Sequence, residues 1–429
     1  MRSATNGIFN KDKLPDYIPI LGDKKIAIIG CGAVGSFVAE ALVKSGFRKL
    51  TLIDMDRLEE DNYAKCSGLY RFPEDVGKNK AVILAERLNE LLQEAWVVGF
   101  DESVTRFGPK SLEGFDVIIL ALDNYAAKLY SNQIWKQISL DSRPLLISGG
   151  TKGEAAHSNC LDGSKFCLRD LIDDSWLENL LVRTSCEGPH YRKETDESEF
   201  AITTGLASRI CADIITEQVR AYCLGEREMI NTRVIYSPYP EFKISKYNIV
   251  PHKDCPDCRN YYPPAESIAI PKMNVKKTTI RELMEYIRAY VDSDNFEVLV
   301  PQIDFGFITY NQIVKDDYCK CCASPIKSIY RHEYYTKYSE MLCHECKKQG
   351  NKANDSSDND LVGEVMNAFT LQDLNSDWEN RTLYDLGFRI GEFIRVTVKS
   401  EGTDIFDECW KELTFYCEND HKLMIAKEE

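Results

Sequence analysis

The stretch Lys25–Asp56, KIAIIGCGAVGSFVAEALVKSGFRKLTLIDMD, decides the fold of this chain. Its apolar run Ile26–Ile29 is typical of a strand that is buried on both faces of a parallel sheet. Glycines follow this run at G-x-G-x-x-G spacing, at Gly30, Gly32 and Gly35. The next segment, Ser36–Lys44, is expected to be a helix. Such a turn lets a phosphate approach bare backbone at the N–H groups of the new helix.

A second strand is expected over Lys49–Asp54, and its last residue is a carboxylate. Asp54 lies near 20 residues beyond the glycines, where a carboxylate can accept hydrogen bonds from ribose hydroxyls. A glycine-rich turn without a ligand is the alternative. The combination of strand, turn, helix and acid favours a site for an adenine nucleotide.

Composition limits the classes to which the protein can belong. The chain has 429 residues, enough for two or three domains, and its 44% apolar and 28% charged residues are ordinary for a globular protein. A net charge of −15 argues against nucleic acid or an anionic membrane as a partner. No apolar run approaches about 18 residues, and no export signal is evident, so we expect a cytoplasmic protein. Its 16 cysteines should then be reduced, metal-bound or catalytic.

The order of apolar segments predicts an α/β fold with a doubly wound, mostly parallel, Rossmann-like sheet. Strands are expected at Ile26–Ile29, Leu50–Ile53, Trp96–Gly99, Val117–Leu122 and Pro144–Ser148, and helices at Ser36–Lys44, Lys78–Gln93 and Tyr125–Gln137. Glu154–Cys167 is expected to form a hairpin that turns near Asp162 and Gly163. Ligands of such folds bind at the carboxyl ends of the strands.

Polar and charged residues follow these strand ends in a pattern that a dehydrogenase does not need. They are Asp56, Asn62, Lys65, Lys78 and Asp123. Lysines can offset phosphate charge, and a carboxylate such as Asp123 suits Mg²⁺, a hard ion that prefers oxygen ligands. Lys78 taken alone could equally be a solvated surface residue. Together these residues favour ATP with Mg²⁺ over a redox dinucleotide.

Five motifs in order, GCGAVGS, IDMD, DNYAK, DVGKNKA and LALDN, resemble those of the ThiF/MoeB family and of the adenylation domains of ubiquitin-activating enzymes. The resemblance covers about residues 20–225. It implies that the chain binds ATP·Mg²⁺ and attaches AMP to the C-terminal glycine of a ubiquitin-like protein. It implies phosphate contacts from Gly30, Gly32, Gly35, Asn62, Lys65 and Lys78, a ribose contact from Asp54, and magnesium at Asp123. Lys65 departs from the arginine that the family usually has, and an ammonium cannot copy the guanidinium fork.

Cys186 is the candidate nucleophile of the chain. It lies on a polar connection, at about residues 184–200, ahead of a Thr-Thr helix start, as the thioester cysteine does in the activating enzymes. Arg183, His190 and Arg192 are close in sequence and could favour its thiolate. A spare surface thiol and a zinc ligand are the alternatives.

Two zinc sites are expected. Cys319, Cys322, Cys343 and Cys346 form two C-x-x-C pairs with 20 intervening residues, the spacing of a structural zinc ribbon at about residues 317–350. Cys255 and Cys258 supply half of another site, at residues 255–258. The resemblance implies a first C-x-x-C pair ahead of the catalytic cysteine, and here Cys167 stands where the first ligand of that pair belongs but Asp170 where the second should be. Cys160 could complete the set instead if the hairpin turns at Gly163 and Ser164.

The last part of the chain, residues 272–429, resembles a small α+β domain with the ubiquitin-like fold, into which the zinc ribbon would be inserted. The phrase L-x-x-L-G-x-x-x-G-x-x-x-x-V, residues 383–396, carries this resemblance. In ubiquitin-activating enzymes such a domain recruits the conjugating enzyme. An unrelated α+β domain is the alternative.

The sequence thus predicts an adenylation domain at residues 1–271 and a recruiting domain at residues 272–429. The expected function is activation of a ubiquitin-like protein by adenylation, thioester transfer to Cys186, and transfer to a conjugating enzyme. The compact size suggests a homodimer resembling bacterial (Bil-type) conjugation systems. A sulfur-carrier adenylyltransferase of molybdopterin or thiamin synthesis, a non-catalytic scaffold and an NAD dehydrogenase are the alternatives.

Overall fold

The computed structural model describes residues 16–92, 95–171, 204–250, 255–260, 263–304, 309–311, 313–315, 317–318, 322, 325–326, 329–330, 346, 364–365, 368–374, 379–400, 409–420 and 424. The chain divides into two compact units. The first comprises residues 1–104, 112–263 and 422–429, and the second comprises residues 105–111 and 264–421. The division expected between residues 271 and 272 stays a prediction.

The first unit is built on an eight-stranded sheet. Its strands are β1 (Lys25–Ile29), β2 (Lys49–Ile53), β3 (Trp96–Phe100), β4 (Val117–Leu120), β5 (Leu145–Lys152), β6 (Ala155–Leu161), β7 (Thr232–Ser237) and β8 (Lys243–Asn248). They lie in the order β3-β2-β1-β4-β5-β6-β7-β8. The first five of these are parallel, and β6, β7 and β8 continue the sheet in antiparallel fashion.

Helices connect the parallel strands, as a doubly wound sheet requires. Along the first unit they are α1 (Ile18–Asp23), α2 (Ala33–Lys44), α3 (Lys80–Leu91), α4 (Pro109–Leu112), whose first residues belong to the second unit, α5 (Tyr125–Lys136), α6 (Gly205–Cys223) and α7 (Pro256–Asn260). A 3-10 helix, Glu60–Ala64, follows β2.

The core of the first unit lies between one face of the sheet and the helices α2, α3 and α6. Alternate residues of the strands, such as Ile26 and Ile28 of β1, pack against Leu42 of α2 and Leu84 of α3. Both faces of β4 are buried, since all four of its residues are inaccessible to solvent. Burial on both faces explains why these strands are continuous apolar runs and do not alternate.

The parallel part of the sheet agrees with the prediction to within a few residues at each element. The predicted hairpin turn near Asp162 is wrong. β5 runs on to Lys152, turns at Gly153 and Glu154, and pairs with β6 from Lys152↔Ala155 to Leu146↔Leu161. Gly153 has a positive φ of 61°, which glycine adopts without strain. The residues near Asp162 therefore lie after the second strand of the hairpin and not at its turn.

The second unit contains a mixed sheet of five strands. They are β9 (Ile268–Ile270), β10 (Phe296–Leu299), β18 (Ala368–Phe369), β19 (Ile394–Ser400) and β20 (Cys409–Cys417), in the order β18-β10-β19-β20-β9. Helix α8 (Ile280–Val291) buries an apolar stripe that includes Leu283, Met284 and Ile287. Its Tyr290 ring packs edge-on against Phe415 of β20, with centroids 5.3 Å apart.

Short strands lie between β10 and β18. They are β11 (Gln302–Asp304), β12 (Thr309–Asn311), β13 (Ile313–Lys315), β14 (Asp317–Tyr318), β15 (Pro325–Ile326), β16 (Ile329–Tyr330) and β17 (Glu364–Val365). The ubiquitin-like fold and the zinc ribbon of this unit stay predictions. None of the helices in the described part of the chain has the length and apolarity that crossing a bilayer requires.

Candidate functional site

The glycine turn between β1 and α2 depends on the absence of side chains. Gly30 has a φ of 93°, and a methyl group on it would lie 2.6 Å from the carbonyl oxygen of Ala121. A methyl group on Gly35 would lie 1.8 Å from the carbonyl oxygen of Gly30. Side chains at these two positions would therefore force the turn, the helix and the end of β4 apart. The third glycine, Gly32, is the residue that precedes α2.

No side chain among the described residues caps the N-terminus of α2. The first-turn N–H groups of this helix have no partner inside the helix, and they carry its positive dipole end. A phosphate is the natural partner of such a terminus when the preceding turn is glycine-rich. This geometry fits the nucleotide site that the sequence predicts.

Asp54 lies at the carboxyl end of β2, beside the glycine turn. Its Oδ2 accepts a hydrogen bond from the backbone N–H of Cys31 at 2.6 Å, and its Oδ1 accepts one from the N–H of Asp56 at 2.8 Å. Burial and the nearby Asp56 carboxylate raise the pKa of Asp54 to about 6. The carboxylate is thus fixed in orientation and mostly ionised at neutral pH, and it becomes protonated as the pH falls through about 6.

Lys80, the first residue of α3, is the lysine nearest to these carboxylates. Its Nζ lies 3.4 Å from Oδ2 of Asp56, and its side chain is only 12% exposed. Burial alone would lower the pKa of Lys80, but the charges of Asp54 and Asp56 outweigh this effect and raise it. The buried Tyr70 hydroxyl donates to the Cys31 carbonyl at 2.7 Å and to the Lys80 carbonyl at 3.2 Å, which ties the glycine turn to the start of α3.

Asn79 fixes the start of α3 against the end of β2. Its Oδ1 caps the helix by accepting from the N–H of Val82, and its Nδ2 donates to the carbonyls of Asp54 and Asp56 at 2.8 and 3.2 Å. The sequence reasoning missed both Asn79 and Lys80. An available signal was that a lysine in the first turn of a helix opposes the helix dipole, so it needs a negative partner.

Lys78, the lysine that the sequence singled out, is placed differently. Its Nζ lies 3.1 Å from Oδ1 of the buried Asp75, and its side chain is 50% exposed. Asp75 also accepts hydrogen bonds from Arg87 and from the backbone N–H of Arg71, both at 2.8 Å. Lys78 therefore contacts a structural carboxylate and not the carboxylates at the end of β2.

Asn62 and Lys65 belong to the segment that follows β2. Asn62 is buried within the 3-10 helix, where its Nδ2 donates to Asp61 at 2.7 Å. The Nζ of Lys65 lies 2.9 Å from the same Asp61 side chain. A methyl group on Gly205, the first residue of α6, would lie 2.7 Å from the Ala64 carbonyl, so α6 begins beside this segment. In this structure both predicted residues therefore contact the Asp61 carboxylate, and their phosphate contacts stay a prediction.

Asp123 is exposed and follows β4, whose continuation at Ala121 lies against the glycine turn. The next residue, Asn124, caps α5 by accepting from the N–H of Ala127 at 2.7 Å. The ends of β1, β2 and β4 thus bring the glycines, Asp54, Asp56 and Asp123 to the same edge of the sheet. Lys80 joins this group, whereas Lys78 does not.

A second cluster in the first unit could hold a metal ion. One ligand atom from each of Cys167, Asp170, Cys255 and Cys258 lies within 4.8 Å of the other three. The sulfurs of Cys167 and Cys255 are 3.6 Å apart, and Cys258 Sγ is 3.6 Å from Oδ2 of Asp170. Zinc–sulfur bonds of about 2.3 Å in a tetrahedron place neighbouring sulfurs about 3.8 Å apart, so the cluster fits Zn²⁺.

Neighbouring side chains orient this cluster. The buried Asn132 of α5 donates to Cys167 Sγ at 3.4 Å and to Asp257 at 2.7 Å. The pKa of Cys258 is lowered because Cys167 and Cys255 donate to its sulfur, with Lys136 adding positive charge. Partners of this kind fix the geometry of metal ligands.

Cys160, the predicted fourth ligand, is not part of the cluster. It is buried on β6, where it pairs with Ile147 and Thr232, and Asp170 stands in its place among the potential ligands. The reason is the hairpin turn at Gly153, which does not bring Cys160 opposite Cys167.

Other predicted residues cannot be placed in this way. Cys186, Cys319 and Cys343 lie outside the described residues. Cys322 is exposed and Cys346 is buried, and no ligand geometry for the expected ribbon follows from these two. The thioester and zinc-ribbon assignments stay predictions.

Proteins of several functions resemble parts of this chain. It is 32% identical over 163 residues to the NEDD8-activating enzyme E1 catalytic subunit of Arabidopsis thaliana, and the aligned region covers 35% of this chain and 34% of that protein. It is 30% identical over 139 residues to the tRNA threonylcarbamoyladenosine dehydratase of Escherichia coli K12, 32% of this chain and 50% of that protein. It is 26% identical over 160 residues to the ATP-dependent ubiquitin transferase-like protein Cap2 of Escherichia coli TW11681, 36% of this chain and 26% of that protein. The matched part of the chain thus spans between a quarter and a half of these relatives.

Among solved structures, Escherichia coli MccB with ATP aligns with a TM-score of 0.44 at 20% identity, covering 57% of this chain and 69% of that one. The sequence model of the ThiF family matches residues 18–259, which is more than half of the chain. This range contains the glycine turn, Asp54, Lys80, Asp123 and the potential metal ligands. The chain therefore belongs to the ThiF family.

Proposed function

We propose that the chain is an ATP-dependent adenylyltransferase that activates the C-terminal carboxylate of a ubiquitin-like protein. The observation that carries this proposal is the meeting of four features at one sheet edge: the bare glycine turn, the oriented carboxylate of Asp54, the buried ammonium of Lys80, and the exposed carboxylate of Asp123. A redox dinucleotide needs the first two features, but it has no use for a lysine and a further acid at the position of a triphosphate.

In this proposal each residue group has a separate task. The glycine turn and the N-terminus of α2 border the phosphates, and Asp54 accepts from the ribose. Lys80 takes phosphate charge, with Asn62, Lys65 and Lys78 as the further candidates. Asp123 would hold Mg²⁺, which when bound neutralises charge that develops on the phosphates.

The reaction makes a poor acyl group into a reactive one. A carboxylate oxygen of the substrate bonds to the α-phosphorus of ATP, the bond from that phosphorus to the bridging oxygen breaks, and pyrophosphate leaves. The product is an acyl adenylate. Positioning and charge neutralisation are the main requirements, because no protein side chain needs to bond covalently in this step.

Later steps rest on residues outside the described part of the chain. The thiolate of Cys186 would attack the acyl adenylate, release AMP and form a thioester. A conjugating enzyme bound to residues 272–429 would then accept the acyl group. A NEDD8-activating enzyme subunit and a ubiquitin transferase-like protein are among the relatives, which supports a ubiquitin-like protein as the substrate of this proposal. The metal cluster around Cys167 and the predicted ribbon would be structural, and two copies of the chain would associate.

A tRNA-modifying role is the second candidate, because a tRNA threonylcarbamoyladenosine dehydratase is among the relatives. The net charge of −15 disfavours it, since nucleic-acid binding depends on positive surface charge. A sulfur-carrier role shares the adenylation chemistry but leaves residues 272–429 without a task.

Mass spectrometry of the intact protein tests the proposal. The full chain is mixed with ATP, Mg²⁺ and a panel of ubiquitin-like proteins that end in glycine, and AMP and pyrophosphate are measured in parallel. We expect AMP release that depends on one panel member, together with a reductant-sensitive adduct on the enzyme. Binding of NAD in preference to ATP, or undiminished turnover by Asp123→Ala, would overturn the proposal. Pyrophosphate release and an acyl adenylate of the substrate, without an adduct on the enzyme, would favour the sulfur-carrier role.

A further inference from the structure

The metal cluster of the first unit contains one ligand that is unusual for a structural zinc site. The thiols of Cys167, Cys255 and Cys258 meet the carboxylate of Asp170, and one atom from each lies within 4.8 Å of the other three. Structural zinc sites commonly consist of thiolates alone or of thiolates with histidine. A carboxylate oxygen suits harder ions than Zn²⁺, so Asp170 is the weakest ligand of the set.

The two sides of this cluster differ in their exposure to solvent. Cys167 and Cys255 are buried, with exposed fractions of 0% and 3%. Cys258 and Asp170 are half-buried, and Cys258 Sγ lies 3.6 Å from Oδ2 of Asp170. The weakest ligand and one sulfur therefore share the side of the cluster that a small solute reaches first.

A second sulfur lies within reach of Cys258. The sulfurs of Cys255 and Cys258 are at most 4.8 Å apart, so a move of less than about 3 Å would bring them to the S–S bond length of about 2.05 Å. The two residues form a C-x-x-C pair at the start of α7, the spacing that thiol–disulfide proteins use. The short chain between them keeps the two thiols close after a metal ion has left. Cysteines that sense oxidants are typically accessible and have such a second cysteine beside them.

Hydrogen bonds hold the other half of the cluster without help from a metal ion. The backbone N–H of Cys167 donates to Oδ2 of Asp170 at 2.8 Å. The Nδ2 of Asn132 donates to Cys167 Sγ and to Asp257 of α7, so this side chain connects the 3-10 helix that begins after Cys167 to α7. The ligand set can therefore form again once an oxidised pair has been reduced.

We propose that this cluster is a reversible peroxide-sensitive site, in which Cys258 is oxidised, Cys255 forms a disulfide with it, and the metal ion is released. The Cys258 thiolate attacks one oxygen of hydrogen peroxide, the O–O bond breaks, and hydroxide leaves a sulfenic acid on the sulfur. The Cys255 thiolate then attacks that sulfur and displaces a second hydroxide. The two sulfurs lose two electrons, and the peroxide accepts both.

Loss of the metal ion follows from the ligand count. A disulfide sulfur carries no charge and is a poor ligand, so only Cys167 and Asp170 would remain of the four groups, and Zn²⁺ requires about four. The oxidised chain should have a lower Tm than the zinc-loaded chain, because metal that binds the folded state stabilises it. This inference concerns the ligands and not the nucleotide site, so it is independent of the proposed function.

The test follows the metal and the thiols directly and needs no enzymatic assay. The zinc-loaded full chain is treated with hydrogen peroxide, zinc release is recorded with a chromophoric chelator, and the remaining thiols are alkylated for peptide mass mapping. We expect zinc to leave in step with formation of a disulfide between Cys255 and Cys258. Dithiothreitol and added zinc should restore both the bound metal and the Tm.

Variants test the order of the steps. In the metal-free chain, Cys258→Ser should slow the oxidation of the buried Cys255 by about tenfold or more, because oxidation follows exposure. In the zinc-loaded chain, Asp170→Asn should speed disulfide formation by about threefold or more, since a weaker ligand protects the thiolates less. Cys223→Ser removes a half-buried thiol of α6 outside the cluster, and it should behave as wild type.

Several outcomes would overturn this inference. They are retention of zinc and of both thiols in millimolar peroxide, a disulfide that involves Cys167, and a disulfide that forms while the zinc stays bound. Equal rates of oxidation in wild type and Asp170→Asn would also contradict it, since the carboxylate would then not control access to the thiolates. None of these results bears on adenylation, so the proposed function would still stand.

Discussion

The backbone N–H of Cys31 donates to the Asp54 carboxylate at 2.6 Å, and this contact joins the glycine turn to the end of the neighbouring strand. Since the second carboxylate oxygen accepts from Asp56, the side chain has one orientation. A bound ribose would therefore meet a carboxylate that is already in place, so binding would cost little ordering of this side chain.

The first prediction concerns the pH dependence of ATP binding. Ribose hydroxyls donate to the ionised form of Asp54, whose pKa is about 6. We expect ATP affinity to fall as the pH decreases from 7.5 to 5.5, because protonation removes an acceptor. Asp54→Asn should weaken ATP binding about tenfold or more, since a charged hydrogen bond contributes about 1.5–3 kcal/mol. Its dissociation constant should also become nearly independent of pH over this range.

The folding stability of the unliganded protein should depend on pH in the opposite direction to its ATP affinity. The pKa of Asp54 is higher in the folded chain than its ordinary value of 3.8, so its contribution to stability is complete below that value and is lost as the pH rises through about 6. Titration calorimetry of ATP and urea unfolding, each from pH 5.5 to 7.5, check the two signs. Equal pH dependence of ATP binding in wild type and Asp54→Asn would contradict the assignment.

The second prediction compares two lysines that are two positions apart. Lys80 lies beside Asp56 and is nearly buried, whereas Lys78 is half-exposed beside Asp75. We expect Lys80→Met to reduce AMP formation about 100-fold, which corresponds to about 2.7 kcal/mol, and Lys78→Met to reduce it less than about fivefold. The measurement is AMP release at saturating ATP with the accepted ubiquitin-like protein.

Circular dichroism and the Tm of both variants serve as controls for folding. If AMP formation fell further in Lys78→Met than in Lys80→Met, the sequence-based assignment of Lys78 to the phosphates would be supported. Such a result would also mean that Lys78 leaves Asp75 when ATP binds.

How far the sequence predicts this site depends on the range of the interactions involved. The glycine turn, Asp54 and Asp123 follow from local patterns, because strand ends and tight turns are set by neighbouring residues. The choice between Lys78 and Lys80 depends on where α3 starts, and a shift of two residues rotates a side chain through more than half a turn of the helix.

Non-local contacts explain the other differences. Cys167 and Asp170 stand at C-x-x-C spacing in the sequence, but only the fold shows that the Asp170 carboxylate, and not the Cys160 thiol, lies beside Cys255 and Cys258. The predicted hairpin failed because Asp162-Gly163 is a good turn sequence, whereas the turn that forms uses Gly153.

The third prediction concerns the metal cluster. We expect at least one zinc per chain, and Cys255→Ser should lose one zinc equivalent and lower the Tm. Asp170→Cys should retain zinc and bind it more tightly, because a fourth thiolate completes a set common to structural sites. Elemental analysis and competition with a chelator check both outcomes. Cys160→Ser is the control, and zinc loss in that variant would contradict the ligand set.

The fourth prediction tests a buried carboxylate of the second unit. Asp420 accepts from the backbone N–H groups of Val275 and Gly391, both at 2.8 Å. Asp420→Asn leaves one of these donors facing an NH₂ group, and we expect it to destabilise the chain by about 1–3 kcal/mol. Urea unfolding, followed by a probe of the second unit, measures this loss.

Burial raises the pKa of Asp420 to about 7. Its contribution to stability is therefore complete below its ordinary pKa of 3.8 and is lost as the pH rises through about 7. The wild type should lose stability between pH 5 and 8 by more than Asp420→Asn does. Parallel pH profiles of the two proteins would contradict this account.

The last prediction concerns Cys186, which lies outside the described residues. If this thiol receives the activated carboxyl, Cys186→Ser should still release pyrophosphate in the first turnover but should form no adduct that a reductant removes. A serine oxygen could instead retain the acyl group as an ester, which a reductant does not cleave. Treatment with a reductant therefore distinguishes a thioester on the cysteine from an ester on the serine. Cys223→Ser, a half-buried thiol on α6, is the matched control and should form the adduct as the wild type does. Intact mass with and without dithiothreitol measures both variants, and a reductant-sensitive adduct on Cys186→Ser would move the nucleophile to another cysteine.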